Sequence, residues 1–157
     1  MKSAYILLAF TAIMLAACTS TTNNTALMND AASLPLSFNF GKMGFKVITS
    51  FINKKQGTMS TLYGNELALK AAAAGTGTVT TGEVFALVTW KQQADDHWFG
   101  AKIPSNLLSV EYVKTGVGSN RISYQKFEGK DLTLSTDTSN NQIRIKYIFD
   151  QKPSVMP

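Results

Sequence analysis

The sequence predicts an α+β domain: a mainly antiparallel β-sheet with one or two helices packed on it. Three observations point there. Runs rich in β-branched and aromatic residues recur along the chain, at Phe45–Ile52, Glu83–Trp90 and Leu108–Lys114. Short glycine-bearing loops separate several of the runs. Only one internal stretch, Gly64–Gly75, carries full helix punctuation.

Taken in order, FKVITSFI (Phe45–Ile52) and TMSTLY (Thr58–Tyr63) read as paired strands. The loop NKKQG between them ends in glycine, the natural close of a hairpin. In GNELALKAAAAG, Asn65 can cap a helix, Glu66 lies in its first turn and Gly75 can end it. Glu66 and Lys70 stand at i, i+4, which predicts a pair on the helix surface. Ala71–Ala74 would let this helix lie close against a sheet, although alanine's helix propensity alone accounts for them. EVFALVTW (Glu83–Trp90) is apolar almost throughout, as suits a central strand covered on both faces. LSVEYVK and RISYQKF alternate and flank TGVGSN, whose glycines allow a tight reversal. Tyr112, Tyr124 and Phe127 then supply aromatic cross-strand contacts. Near the C-terminus QIRIKYIF alternates like a strand, yet Ser139 with Gln142 forms a capping-box pattern leading to Pro153. The helix is the preferred reading there.

The N-terminus sets the domain plan. Lys2 precedes an apolar run from Ala4 to Ala17, broken by Thr11. The run is shorter than the ~20 residues that cross a bilayer and has the form of a secretory signal, residues 1–17. It closes on Leu15-Ala16-Ala17-Cys18, which looks like a bacterial lipobox. The thiol of Cys18 would accept a diacylglyceryl group, and small residues before it suit the peptidase. Acyl chains would then hold the protein on a membrane, each buried methylene contributing about 0.8 kcal/mol. Residues 18–33 are polar and small after the cysteine and are expected to form a lipidated, flexible tether. Residues 34–157 form the expected single domain. Thr19 after the cysteine, rather than an aspartate, points to an outer-membrane lipoprotein facing the periplasm.

Charge and cysteine content narrow the classes. The formal charge is +5, spread singly, with Lys54-Lys55 the one adjacent pair of basic residues. No basic run with interleaved aromatics occurs, so nucleic acid is not an expected partner. The expected partner is the membrane, through the anchor. Cys18 is the only cysteine, so a lipidated chain has no disulfide, thiolate ligand or cysteine nucleophile. With a single histidine as well, a structural zinc site is not expected. GTGTVTTGE follows a helix and leads into a strand, the wrong order for a dinucleotide fingerprint. No serine sits in a nucleophile-elbow context.

Several segments together resemble cytochrome P-460 family proteins. GTMSTLYGNELALKAA (Gly57–Ala72) is similar to the family's strand that runs through Tyr-Gly-Asn into its first helix. GEVFALVTWKQQADDHWFGAKIP (Gly82–Pro104) is similar to the following strand of the subgroup with the Trp-Lys-Gln-Gln and His-Trp-Phe-Gly words. SVEYV, ISYQKFEGKDL and QKPSVMP continue in order. The resemblance implies a largely antiparallel β domain with helices, secreted or lipid-anchored, and a homodimer as its oligomer. In haem-containing members it implies a c-type haem held by Cys-x-x-Cys-His near the C-terminus and cross-linked to a lysine. This chain departs at each of those points. NNQIRIKYIFDQKPSVMP has neither cysteine nor histidine, and the cross-linking position falls on Leu87. No covalent haem residue carries over, and no catalytic residue is assigned.

Any haem would therefore be non-covalent, with His97 as axial ligand to the iron and Trp90 and Trp98 walling the pocket. Met43, Met59, Tyr63, Lys91 and Lys102 are weaker ligand candidates. The competing reading, and the preferred one, makes the tryptophans core or interface residues and His97 a hydrogen-bonded strand residue. On a regular strand Asp96 would face away from the neighbouring imidazole, so the pair does not suggest a hydrolytic site. Whether the chain is an enzyme stays open at this level. A lipoprotein with a non-catalytic binding or structural role is preferred over a periplasmic redox or small-ligand protein.

Overall fold

The polypeptide meanders through six antiparallel strands in which each pairs only with its sequence neighbours, β1-β2-β3-β4-β5-β6. The structure, a computed structural model, describes residues 29–75, 79–117 and 121–154. The strands are β1 (Lys46–Asn53), β2 (Thr58–Gly64), β3 (Val84–Ala94), β4 (Lys102–Thr115), β5 (Ile122–Glu128) and β6 (Thr133–Leu134). Helix α1 (Glu66–Ala74) connects β2 to β3, and α2 (Asn141–Phe149) follows β6. The α+β expectation holds, and the C-terminal segment is the helix. The lipobox, the signal and residues 19–28 of the tether lie outside the described residues.

Alternation along β3 and β4 explains why the sheet can be covered twice. Phe85, Leu87 and Val113 point to one face and Ala86, Val88, Val110 and Tyr112 to the other. On the first face Ala68, Ala72 and Ile148 of the two helices complete a core with Ile48 and Leu62. The second face is covered by the N-terminal segment rather than by a helix. Phe40 stacks on Tyr63 at 4.9 Å between ring centroids, and Phe38 meets Phe127 edge-on at 5.3 Å. Covering both faces makes the middle of the sheet a near-continuous apolar run, which is why Glu83–Trp90 shows little alternation in sequence.

Helix α1 has the caps its sequence predicts. The Asn65 carboxamide oxygen accepts from Ala68 N at 2.9 Å, and Gly75 ends the helix with φ +61°. The expected Glu66–Lys70 pair gives way to a cross-element one: Lys46 Nζ lies 2.7 Å from Glu66 Oε2. Lys46 starts the strand beside the helix, so its ammonium reaches the first turn, where the carboxylate also faces the helix dipole. At the entry to α1 a Cβ on Gly64 would stand 2.8 Å from both Ala68 Cβ and Ile48 Cδ1. Glycine is what lets the helix descend onto β1.

Two other expectations change. Ser139 and Gln142 do not form a capping box: Asn140 is the N-cap and makes no side-chain cap bond. The Ser139 hydroxyl instead donates to Asp137 Oδ1 at 2.7 Å, a local turn bond that competes with capping. Residues 29–33, expected within the tether, lie against the sheet. Asn29 Nδ2 donates to Pro104 O at 2.7 Å, and a short 3-10 turn, Asp30–Ala32, follows against β4. Its role is to supply an acceptor for the Trp90 indole.

Candidate functional site

Trp90, Trp98 and His97 stand close in sequence, but the fold gives them two different surroundings. Trp90 ends the buried part of β3, where its ring joins Val88, Leu107 and Tyr112. Its indole N–H donates to Ala32 O at 2.8 Å. A buried indole needs an acceptor, and the Asp30–Ala32 turn provides it, so Trp90 pins the N-terminal segment to the sheet.

His97 and Trp98 belong to the β3–β4 hairpin tip, Asp95–Ala101, and not to a strand. This corrects the expectation of a strand histidine. Asp95 is the cause: its Oδ1 accepts from His97 N at 2.8 Å, and its own N–H donates to Ala101 O at 3.1 Å. A short aspartate side chain thus replaces the strand ladder with a turn, and Gly100 at φ +80° closes it. The Asp95 carboxylate also approaches the His97 ring, with Oδ1 3.5 Å from Nδ1. The His97 side chain is 88% exposed, Trp98 is 72% exposed and Phe99 is fully exposed. As placed, His97 and Trp98 stand exposed at the tip while Trp90 is buried against the N-terminal segment.

The weaker ligand candidates are scattered. Met43 is exposed, Met59 pairs across β2 and β3 with Trp90, and Tyr63 is stacked on Phe40. Lys91 and Lys102 are exposed at the outer ends of β3 and β4. Leu87 is fully buried on the helix-covered face, opposite Leu62 on β2 and Glu111 on β4. Among the described residues no group of three or more His, Cys, Asp or Glu side chains could hold a metal ion.

The most concentrated chemistry is one that sequence reading did not single out. Glu111 on β4 is 2% exposed and faces α2. Arg144 grips it with two bonds, Nε to Oε2 at 2.8 Å and Nη2 to Oε1 at 2.7 Å. Tyr124 on β5 donates its hydroxyl to the same Oε2 at 2.6 Å. The guanidinium also lies over the Tyr147 ring, 4.8 Å from the centroid. Burial, then the bond to Glu111, pushes the Tyr124 hydroxyl well above the ordinary tyrosine range. The bond to Glu111 likewise raises Arg144. The cluster thus ties α2 to β4 and β5 through charge-assisted bonds. Its signal in the sequence was a carboxylate inside the apolar word SVEYV, at an inward position of a buried strand.

A second buried carboxylate, Glu83, precedes β3. Its Oε1 accepts from Thr80 N at 2.8 Å, and its own N–H donates to Thr115 Oγ1 at 2.8 Å. It borders a cavity of about 130 Å³ with Ala72, Phe85, Phe149 and Lys152. That volume admits a few waters.

Sequence comparison finds no protein-family model that matches the chain and no curated protein that qualifies as a relative. Function must therefore be argued from the geometry.

Proposed function

We propose that this chain is a lipid-anchored cell-envelope protein whose domain has a binding or structural role and no catalytic centre of its own. The family reading, a cytochrome P-460-like domain without the covalent haem, is part of the proposal and rests on the sequence words above. The observation that carries the functional reading is the position of the rare residues. Trp90 serves the packing of the N-terminal segment, while His97, Trp98 and Phe99 project from a hairpin tip. A contact surface requires such exposure, whereas a haem pocket requires concavity. The buried Glu111 is occupied by Arg144 and Tyr124 and offers no free base.

Two experiments test this reading. Hemin is titrated into the purified protein and the Soret band is recorded for the wild type and His97→Ala. The expected result is no saturable binding that depends on His97. A stoichiometric band that is lost or shifted in His97→Ala overturns the proposal in favour of a non-covalent haem protein. For the anchor, Cys18→Ser is expected to block processing and abolish the acylated, detergent-phase form. An unchanged distribution overturns the lipidation.

A further inference from the structure

The exposed aromatic tip and Asn29 lie at the same end of the sheet. Asn29, the first described residue, is bonded through its side chain to Pro104 O. Pro104 pairs with Gln92 across the β3–β4 hairpin. Beyond that rung only the pairs Gln93–Ile103 and Ala94–Lys102 separate it from the turn that carries Trp98 and Phe99. Two strand steps amount to about 7 Å. From Cys18 the chain reaches Asn29 in eleven peptide steps, a path that cannot exceed about 40 Å. An anchor at Cys18 therefore tethers the domain by the end that displays the tip.

We propose that the Trp98–Phe99 tip docks into the interface of the membrane to which Cys18 is anchored, so that the domain is held at two points. The inference rests on the lipid-anchor reading and adds to it a second contact and an orientation. Tryptophan suits the headgroup level of a bilayer, where an apolar ring and a polar N–H are both accommodated. Phe99 beside it is fully exposed and finds no apolar partner among the described residues.

Charge does not drive the contact. The same end carries Lys54 and Lys55 in the β1–β2 loop, Lys91 and Lys102 flanking the tip, and Lys130 in the β5–β6 turn. Asp30, Asp95, Asp96 and Asp131 offset them. Docking is accordingly apolar and insensitive to salt, unlike the binding of a polybasic patch. A single anchored lipid leaves a domain free to swivel; a second, apolar foothold fixes which face meets the periplasm.

The test uses the full lipoprotein reconstituted in phosphatidylethanolamine–phosphatidylglycerol vesicles, with and without bromine on the acyl chains. Trp90 is buried and bonded inside the domain, so it serves as an internal reference. The expected result is a blue shift of Trp98 emission on reconstitution and loss of intensity with brominated lipid. Both effects should vanish in Trp98→Phe and persist at 0.5 M salt. Emission that is identical in brominated and plain vesicles overturns the docking, whether the tip is then in water or covered by a second protein. The two readings fail separately: if the chain carries no lipid by mass, the anchor fails; if it carries lipid and Trp98 is unquenched, only the docking fails. Retained far-ultraviolet circular dichroism in Trp98→Phe confirms that the variant is folded, as expected for a residue that is 72% exposed.

Discussion

Replacing Arg144 with leucine tests whether the Glu111 cluster holds α2 to the sheet. The substitution removes both N–H donors at 2.7 and 2.8 Å and leaves a carboxylate that is 2% exposed with the Tyr124 hydroxyl as its remaining partner. Breaking a buried ion pair on one side costs about 3–5 kcal/mol. Arg144 itself is 34% exposed, so water can reach the vacated space and the lower end, about 3 kcal/mol, is expected. That is a large share of the roughly 5–15 kcal/mol that keeps an ordinary domain folded. The control is Glu111→Leu, Arg144→Leu and Tyr124→Phe together, which removes the charges and the hydroxyl at once. Apolar replacement of a whole buried pair is close to neutral, so the triple variant should recover most of the loss. Urea unfolding at pH 7, followed by circular dichroism, reads both through the midpoint at constant slope. The reasoning is refuted if Arg144→Leu costs less than about 1 kcal/mol, the level of a surface pair. It is also refuted if the triple variant is no more stable than the single one.

Three further predictions follow from the packing and the caps. Gly64→Ala drives a methyl to 2.8 Å from Ala68 Cβ and Ile48 Cδ1 and should destabilise by about 1–3 kcal/mol, as overpacking does; an unchanged urea midpoint would show that α1 can move away freely. Asn65→Ala removes the acceptor for Ala68 N and Val84 N and the donor to Gly82 O, and a loss of about 1–2 kcal/mol is expected by the same assay. The Lys46 bond and charge, in that order, hold the Glu66 carboxyl below its ordinary range. A folded-state pKa that is depressed stabilises above the unfolded value, and that contribution disappears as pH falls through the lowered one. Lys46→Ala should therefore move the Glu66 titration, followed by carboxyl carbon NMR, back up; a midpoint unmoved by the substitution contradicts the pairing.

Local signals in the sequence were sufficient where the determinant lay within a few residues. Asn65 and Gly75 bracket α1 because both act on the helix they adjoin, and the β1–β2 reversal closes on Gly57 at φ +65°. What stayed hidden depends on contacts distant in sequence. Nothing near Ala32 says that its carbonyl will meet the Trp90 indole, so ordered chain before Leu34 was invisible. Glu66 has a lysine at i+4, yet Lys46 wins because the strand–helix arrangement brings it to the helix start. The alternation of QIRIKYIF fits a strand, but Ile145 and Ile148 face the sheet from a helix while Arg144 reaches Glu111. His97 was misplaced for a local reason that could have been read: Asp95 two residues ahead and Gly100 three behind are turn residues. The candidate site was thus legible as an unusual stretch, but whether it faced inward or outward was not.

The bulge in β1 carries a consequence for how copies of this domain avoid one another. Ile48 is skipped in the pairing with β2, and its carbonyl takes the N–H of Ser154 at 3.1 Å while Thr49 and Ser154 share a hydroxyl bond at 2.8 Å. Ser154, after α2, therefore meets the outer margin of the sheet at the β1 bulge, and the opposite margin is the two-residue β6. An open margin with outward Val47 and Ile52 would be a template for another strand. Ser154 occupies the edge groups of Ile48 and Thr49 where a second strand could otherwise pair, so Ser154→Pro would reopen that rung while leaving the helix-covered core untouched.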